Sequence, residues 1–91
     1  MSIKSNELDD PTWQEVWDLF EGICVLCYGK AGSIHEIEPR SRRPKDWWEL
    51  NNRVALCTYC HNQIHEGNPL RYVEILRIKR DCLLQSLGKT I

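Results

Sequence analysis

The sequence predicts a small α+β domain, two strands and a helix gathered around metal, with an amphipathic helix on either side. Three observations predict it. Two C-x-x-C pairs, Cys24/Cys27 and Cys57/Cys60, bracket the middle of the chain. Two short strand-like runs flank a basic loop between them, and helical apolar spacing is found towards the two ends. Ninety-one residues make one domain, 1–91, near the lower end of common sizes. A core this small usually needs a metal or disulfides for support.

Residues 1–9 read as a loose acidic tail. A helix is expected over 10–21: Asp10 is a favoured cap, Pro11 suits the first helical position, and Gly22 ends the run. Trp13, Val16, Trp17 and Phe20 repeat at the spacing of one helical face, a core stripe. Gly22 to Gly32 is a tight turn presenting Cys24 and Cys27. Ser33 to Glu38 is a strand, closed by Pro39. Residues 40–46, basic and proline-bearing, form a loop. Asp46 to Leu50 is one helical turn whose Trp47 and Trp48 pack that loop against the domain. Arg53 to Leu56 is the second strand, and His61 to Glu66 a short helix stopped by Gly67, Asn68 and Pro69. The zinc-stapled core therefore covers 24–66. Pro69 opens a last helix over 69–86. Val73, Leu76, Leu83 and Leu87 keep approximate helical spacing there, and Cys82 beside them is expected to be a buried core thiol.

Composition narrows the function. The 42% hydrophobic and 27% charged shares are those of an ordinary soluble domain. The longest apolar run, Ile23 to Tyr28, is far too short to span a bilayer, and the N-terminus lacks the apolar core of a secretory signal. A cytoplasmic protein without a membrane partner is expected. The net charge of −1 excludes a globally basic nucleic-acid binder. Its distribution is uneven: residues 1–23 hold one lysine against six acids, whereas Arg40, Arg42, Arg43 and Lys45 crowd one loop. Any field acting on nucleic acid is local.

A reducing compartment favours metal over disulfides for paired cysteines. Each C-x-x-C turn aims two thiolates at one tetrahedral ion, so Cys24, Cys27, Cys57 and Cys60 are expected to hold a structural Zn2+ with no open position. A set of Cys24, Cys27, His61 and His65 would strand the other two cysteines. A redox role lacks the βαβ pattern that accompanies it.

All three histidines lie within or just after the insert between the cysteine pairs. His61 and His65, four apart, share one side of a helix whose start is fixed by Cys60. His35 sits on the first strand, and Asn52 stands just before the second. If the strands pair, these residues converge.

The stretches SIHEIEPRSRRP and NNRVALCTYCHNQIH resemble the HNH endonuclease motif with its zinc knuckles, in the manner of small HNH proteins of bacteriophage genomes. The resemblance covers Cys24 to His65. It implies a ββα-metal fold and metal-dependent hydrolysis of DNA phosphodiester bonds, leaving 5′-phosphate and 3′-hydroxyl ends. It also implies phage packaging proteins as partners and work in genome packaging or processing. Matching residue by residue places His35, His61 and His65 on one catalytic divalent cation (Zn2+, Mn2+, Ni2+ or Mg2+), Glu36 at the general base and Asn52 at the motif asparagine. Imidazole ligands suit the softer ions of that group better than Mg2+.

Glu36 is a departure, because a histidine is commoner at that position. Either Glu36 activates water, or His35 does so while Glu36 binds metal, or the site is inactive; the first reading is preferred. Arg40, Arg42, Arg43 and Lys45 would then clamp DNA phosphates. The alternative is a non-catalytic zinc module that binds nucleic acid or a protein partner.

Overall fold

The computed structural model describes residues 10–89, so the tail assigned to 1–9 lies outside the described residues. Helix α1 (Trp13–Phe20) is followed by strands β1 (Ser33–Glu36) and β2 (Arg53–Leu56), then helices α2 (Thr58–Glu66) and α3 (Val73–Ser86). Short 3₁₀ turns occupy Leu50–Asn52 and Pro69–Tyr72. The expected α+β architecture is present, with two antiparallel strands and three helices among the described residues. No helix among the described residues is long and apolar enough to cross a membrane.

The strands pair with His35 opposite Val54 and Glu36 opposite Arg53. All four residues of β2 are buried, because α1 and α2 both pack against it. The core joins Val16 and Phe20 of α1, Val25 of the first knuckle, Val54 and Leu56 of β2, Ile64 of α2, and Leu76, Leu83 and Leu84 of α3.

Several boundaries differ from expectation for physical reasons. Helix α1 starts at Trp13, and Asp10 is not its cap. The Asp10 carboxylate accepts from the Thr12 amide at 3.2 Å and from the Arg53 guanidinium, and Thr12 spends its hydroxyl on the Trp48 carbonyl. At the other end Glu21 adopts the left-handed conformation (φ 54°) one residue before Gly22 (φ 71°). The Lys89 ammonium donates to the Asp18 and Leu19 carbonyls, both at 2.7 Å, a cation placed where the helix dipole is negative.

Strand β1 stops at Glu36, since Glu38 is drawn to the Asn52 side chain. The expected helical turn at 46–50 is a set of reverse turns, and the 3₁₀ turn falls later, at Leu50–Asn52. Helix α2 begins three residues earlier than expected because Cys57 caps it, its sulfur accepting from the Cys60 amide at 3.3 Å. Pro69 opens a 3₁₀ turn, and α3 follows at Val73.

Cys82 is exposed, contrary to the expected core thiol. The buried face of α3 is Leu76, Arg80, Leu83 and Leu84, and Cys82 lies six positions beyond Leu76. At about 100° per residue that is well round the helix from the core.

Candidate metal centres

The first knuckle is a miniature hairpin. Ile23 bridges Lys30, the Cys24 amide donates to the Gly29 carbonyl at 2.8 Å, and Tyr28 turns the chain at φ 63°. The Gly29 amide points at the Cys27 sulfur (3.4 Å), and a Cβ on Gly29 would stand 3.3 Å from that sulfur. Val25 and Gly32 donate to the Ala55 and Leu56 carbonyls, at 3.0 and 2.9 Å, which stitches the knuckle to β2. The second knuckle is the N-terminus of α2, reached directly from β2.

These connections bring the sulfurs of Cys24, Cys27, Cys57 and Cys60 within 4.8 Å of one another, with Cys27 and Cys57 at 3.6 Å. Four thiolates about 2.3 Å from one zinc stand roughly 3.8 Å apart in a tetrahedron, so the set fits a structural zinc. The Cys60 amide pulls Cys57 down to about 7, whereas burial pushes Cys60 up. Like charges in one nest resist a full set of thiolates unless a cation joins them.

Along α2 the chain passes from Cys60 to His61 and, one turn on, to His65. His35 of β1 meets them. Ring nitrogens of all three histidines lie within 4.8 Å of one another, and the His61 and His65 Nε2 atoms are 2.9 Å apart. The His35 ring centroid is 5.4 Å from that of His61 and 5.5 Å from that of His65. His35 is only 6% exposed, and its Nε2 is buried without a hydrogen-bond partner. A buried, unpaired imidazole nitrogen is costly, and a cation shared with two further imidazoles is one partner that fits. Burial, then the neighbouring His61 and His65, holds His35 down at about 4; burial and His65 also lower His61, with Glu36 opposing. His35 and His61 therefore stay neutral and able to ligate a metal below the usual histidine range.

Glu36 borders the same open cleft as the three histidines and Arg40. Its carboxylate is not a member of the imidazole cluster. It accepts from Arg40 Nε at 3.0 Å and lies 3.9 Å from Arg53.

Asn52 is fully buried with its amide fully used. It accepts from the Glu38 amide at 2.8 Å and donates to the Glu38 and Trp47 carbonyls, both at 3.1 Å. It braces both ends of the loop that carries the basic residues.

That loop does not present its cations alike. Arg42 and Lys45 are exposed. Arg43 turns to Asp46 at 3.0 and 2.8 Å, and Arg40 stacks over the Trp47 ring at 3.6 Å. Sequence reasoning gave no role to Arg53, which is buried between Asp10 and Glu36; only its register opposite Glu36 hints at one.

Comparison with protein-family models, with curated proteins and with solved structures returns no match for this chain.

Proposed function

We propose that the protein is a metal-dependent nuclease of the HNH type, cutting DNA phosphodiester bonds at the cleft that joins His35, Glu36, His61 and His65. One observation carries the reading: a buried, unpartnered imidazole on a strand converges with two imidazoles on the following helix, beside a carboxylate and in an open cleft. A purely structural zinc module has no use for that second donor set.

In this reading the four cysteines hold zinc and fix the start of α2, and His35, His61 and His65 hold a second divalent cation. That cation would supply Lewis-acid stabilisation of charge on the phosphate and the departing 3′ oxygen. Glu36, standing outside the imidazole set, takes a proton from the attacking water, which favours it as base over the arrangement with His35 as base. Asn52 keeps the β1 exit and the loop in register, so that Glu36 stays at the cleft. The loop cations attract the DNA backbone.

The test is incubation of supercoiled plasmid with the protein and a panel of divalent cations, comparing wild type with Glu36→Gln and His61→Ala. Nicked or linear product is expected from wild type, with a loss of about 10²–10⁴-fold in Glu36→Gln. Equal cleavage by all three, or none by any under any cation, overturns the reading. In the second case a non-catalytic zinc module is what remains.

A further inference from the structure

Arg40 is set apart from the other basic residues of its loop. Its side chain is 58% exposed, a state in which an arginine usually samples many rotamers. Here it is fixed on two sides. The guanidinium lies 3.6 Å over the Trp47 ring, and its Nε donates to Glu36 at 3.0 Å. Neither an exposed ion pair nor a single cation–π contact holds such a side chain well by itself, but the two act on one rigid plane. No hydrogen bond from its two η nitrogens is found among the described residues. Of the four loop cations, Arg40 alone borders the cleft of the three histidines. Arg43 is closed off by Asp46 and Glu49, while Arg53, fully buried, is taken by Asp10.

We propose that Arg40 takes the phosphodiester at this cleft through its free η edge and, through Nε, sets the Glu36 carboxylate relative to it, with Trp47 as the platform beneath. The proposal rests on the nuclease reading for its role in catalysis, although the phosphate contact itself can be observed without cleavage. A planar guanidinium can offer one edge to a carboxylate and another to a phosphate at the same time. An ammonium is a point charge and cannot hold both in one plane. The same residue thus couples arrival of a phosphate to the position of the base. Trp47 supplies stiffness rather than a surface for stacked nucleobases, because its ring already carries Arg40.

The experiment uses the zinc-loaded 15N-labelled chain and a short DNA duplex, with no other divalent cation added. Arginine side-chain resonances are followed, the Arg40 Nε signal being identified by its loss in Arg40→Lys. The duplex is expected to shift that signal saturably. Affinity should fall about tenfold in Arg40→Lys and in Trp47→Leu, stay within about twofold of wild type in Trp47→Phe, and be as little changed in Lys30→Gln, an exposed cation elsewhere. With a cleavage-supporting cation, Arg40→Lys should lower kcat as well as raise KM, since Glu36 is then misplaced.

An Arg40 signal that ignores the duplex, or affinity in Arg40→Lys within twofold of wild type, overturns the proposal. So does a folded Trp47→Leu variant that binds like Trp47→Phe; if Trp47→Leu fails to fold, the arginine readouts still decide. A shifted Arg40 signal in a protein that fails to cleave under every cation upholds the phosphate contact and overturns the hydrolytic reading. Cleavage with an unmoved Arg40 does the reverse.

Discussion

The Asp10 carboxylate meets the Arg53 guanidinium through two hydrogen bonds of 2.7 and 2.6 Å, both partners being buried. This pair ties the segment before α1 to the first residue of β2, 43 positions away, and Arg53 is the largest fully buried side chain. Removing Asp10 leaves Arg53 a buried charge with only the more distant Glu36 carboxylate, at 3.9 Å, opposite it, and breaking a buried pair typically costs about 3–5 kcal/mol. Asp10→Ala is expected to lower unfolding stability by roughly that amount, as read by denaturant titration. Burial opposes the charge on Asp10, but the Arg53 guanidinium wins and holds the carboxyl below its ordinary 3.8. Its contribution is therefore complete above pH 3.8 and is lost as pH falls through the lower folded value. A change in stability below 1 kcal/mol in Asp10→Ala, about the value of an exposed pair, would show that the pair is not buried in solution.

Legibility followed chemistry. The knuckles were readable because two thiolates on a tight turn need a fixed spacing, and β2 because Val54, Ala55 and Leu56 form a short apolar run between the Asn51-Asn52 pair and the second knuckle. The meeting of His35 with His61 and His65 followed from pairing the strands. The Asp10–Arg53 pair was not readable: an aspartate before a proline satisfies the local rule for a helix cap, and only the tertiary fold brings Arg53 to it. Cys82 was misplaced because approximate spacing tolerates a residue that the exact angle around α3 sends to solvent. The division of labour among Arg40, Arg42, Arg43 and Lys45 depends on which acid or ring each finds, and a count of loop charges holds no record of that.

Zinc removal is expected to unfold the protein rather than loosen one loop. A zinc ion on the four cysteines would pin the first knuckle, the end of β2 and the start of α2 together, and the remaining core is small. Structural zinc contributes about 10–16 kcal/mol of apparent binding free energy in zinc-finger peptides, against roughly 5–15 kcal/mol for a whole fold. A strong chelator, or Cys24→Ser, should abolish cooperative thermal melting followed by circular dichroism. A metal-free chain that retains a sharp melt at the same temperature would refute a structural role for the ion.

Asn52 makes three hydrogen bonds from a fully buried side chain. Asn52→Ala leaves the Glu38 amide and two carbonyls without partners, and an orphaned buried polar group costs about 1–3 kcal/mol. The variant should lose a few kcal/mol of stability, and amide exchange should accelerate at Glu38 and across residues 39–49. Asn52→Asp keeps the acceptor for Glu38 but turns the donor into an acceptor facing two carbonyls, so it should be no better tolerated. If Asn52→Asp matches wild type in exchange and stability, the amide is not the brace assigned to it.

Acid should compete with the cation proposed for the three histidines. Each imidazole that is protonated in the free protein must give up its proton before it can ligate, so affinity falls tenfold per pH unit for every such ring. Three ordinary histidines, each near 6.5, would together release close to three protons per ion at pH 5. His35 behaves otherwise, because burial and the two neighbouring rings hold it at about 4, and His61 is also lowered. At pH 5 His35 is already neutral and releases essentially nothing. The slope of log affinity against pH should accordingly stay at two or below between pH 6 and 5, measured by Ni2+ titration of protein that keeps its cysteine-bound zinc. With no ion at the histidines, the unfolded chain takes up a proton below 6.5 that folded His35 refuses until about 4, so the fold weakens across that window as pH falls and then levels off. A slope near three at pH 5 would mean that His35 is hydrated in solution and titrates as a surface histidine, which the packing of β1 beneath α2 does not allow.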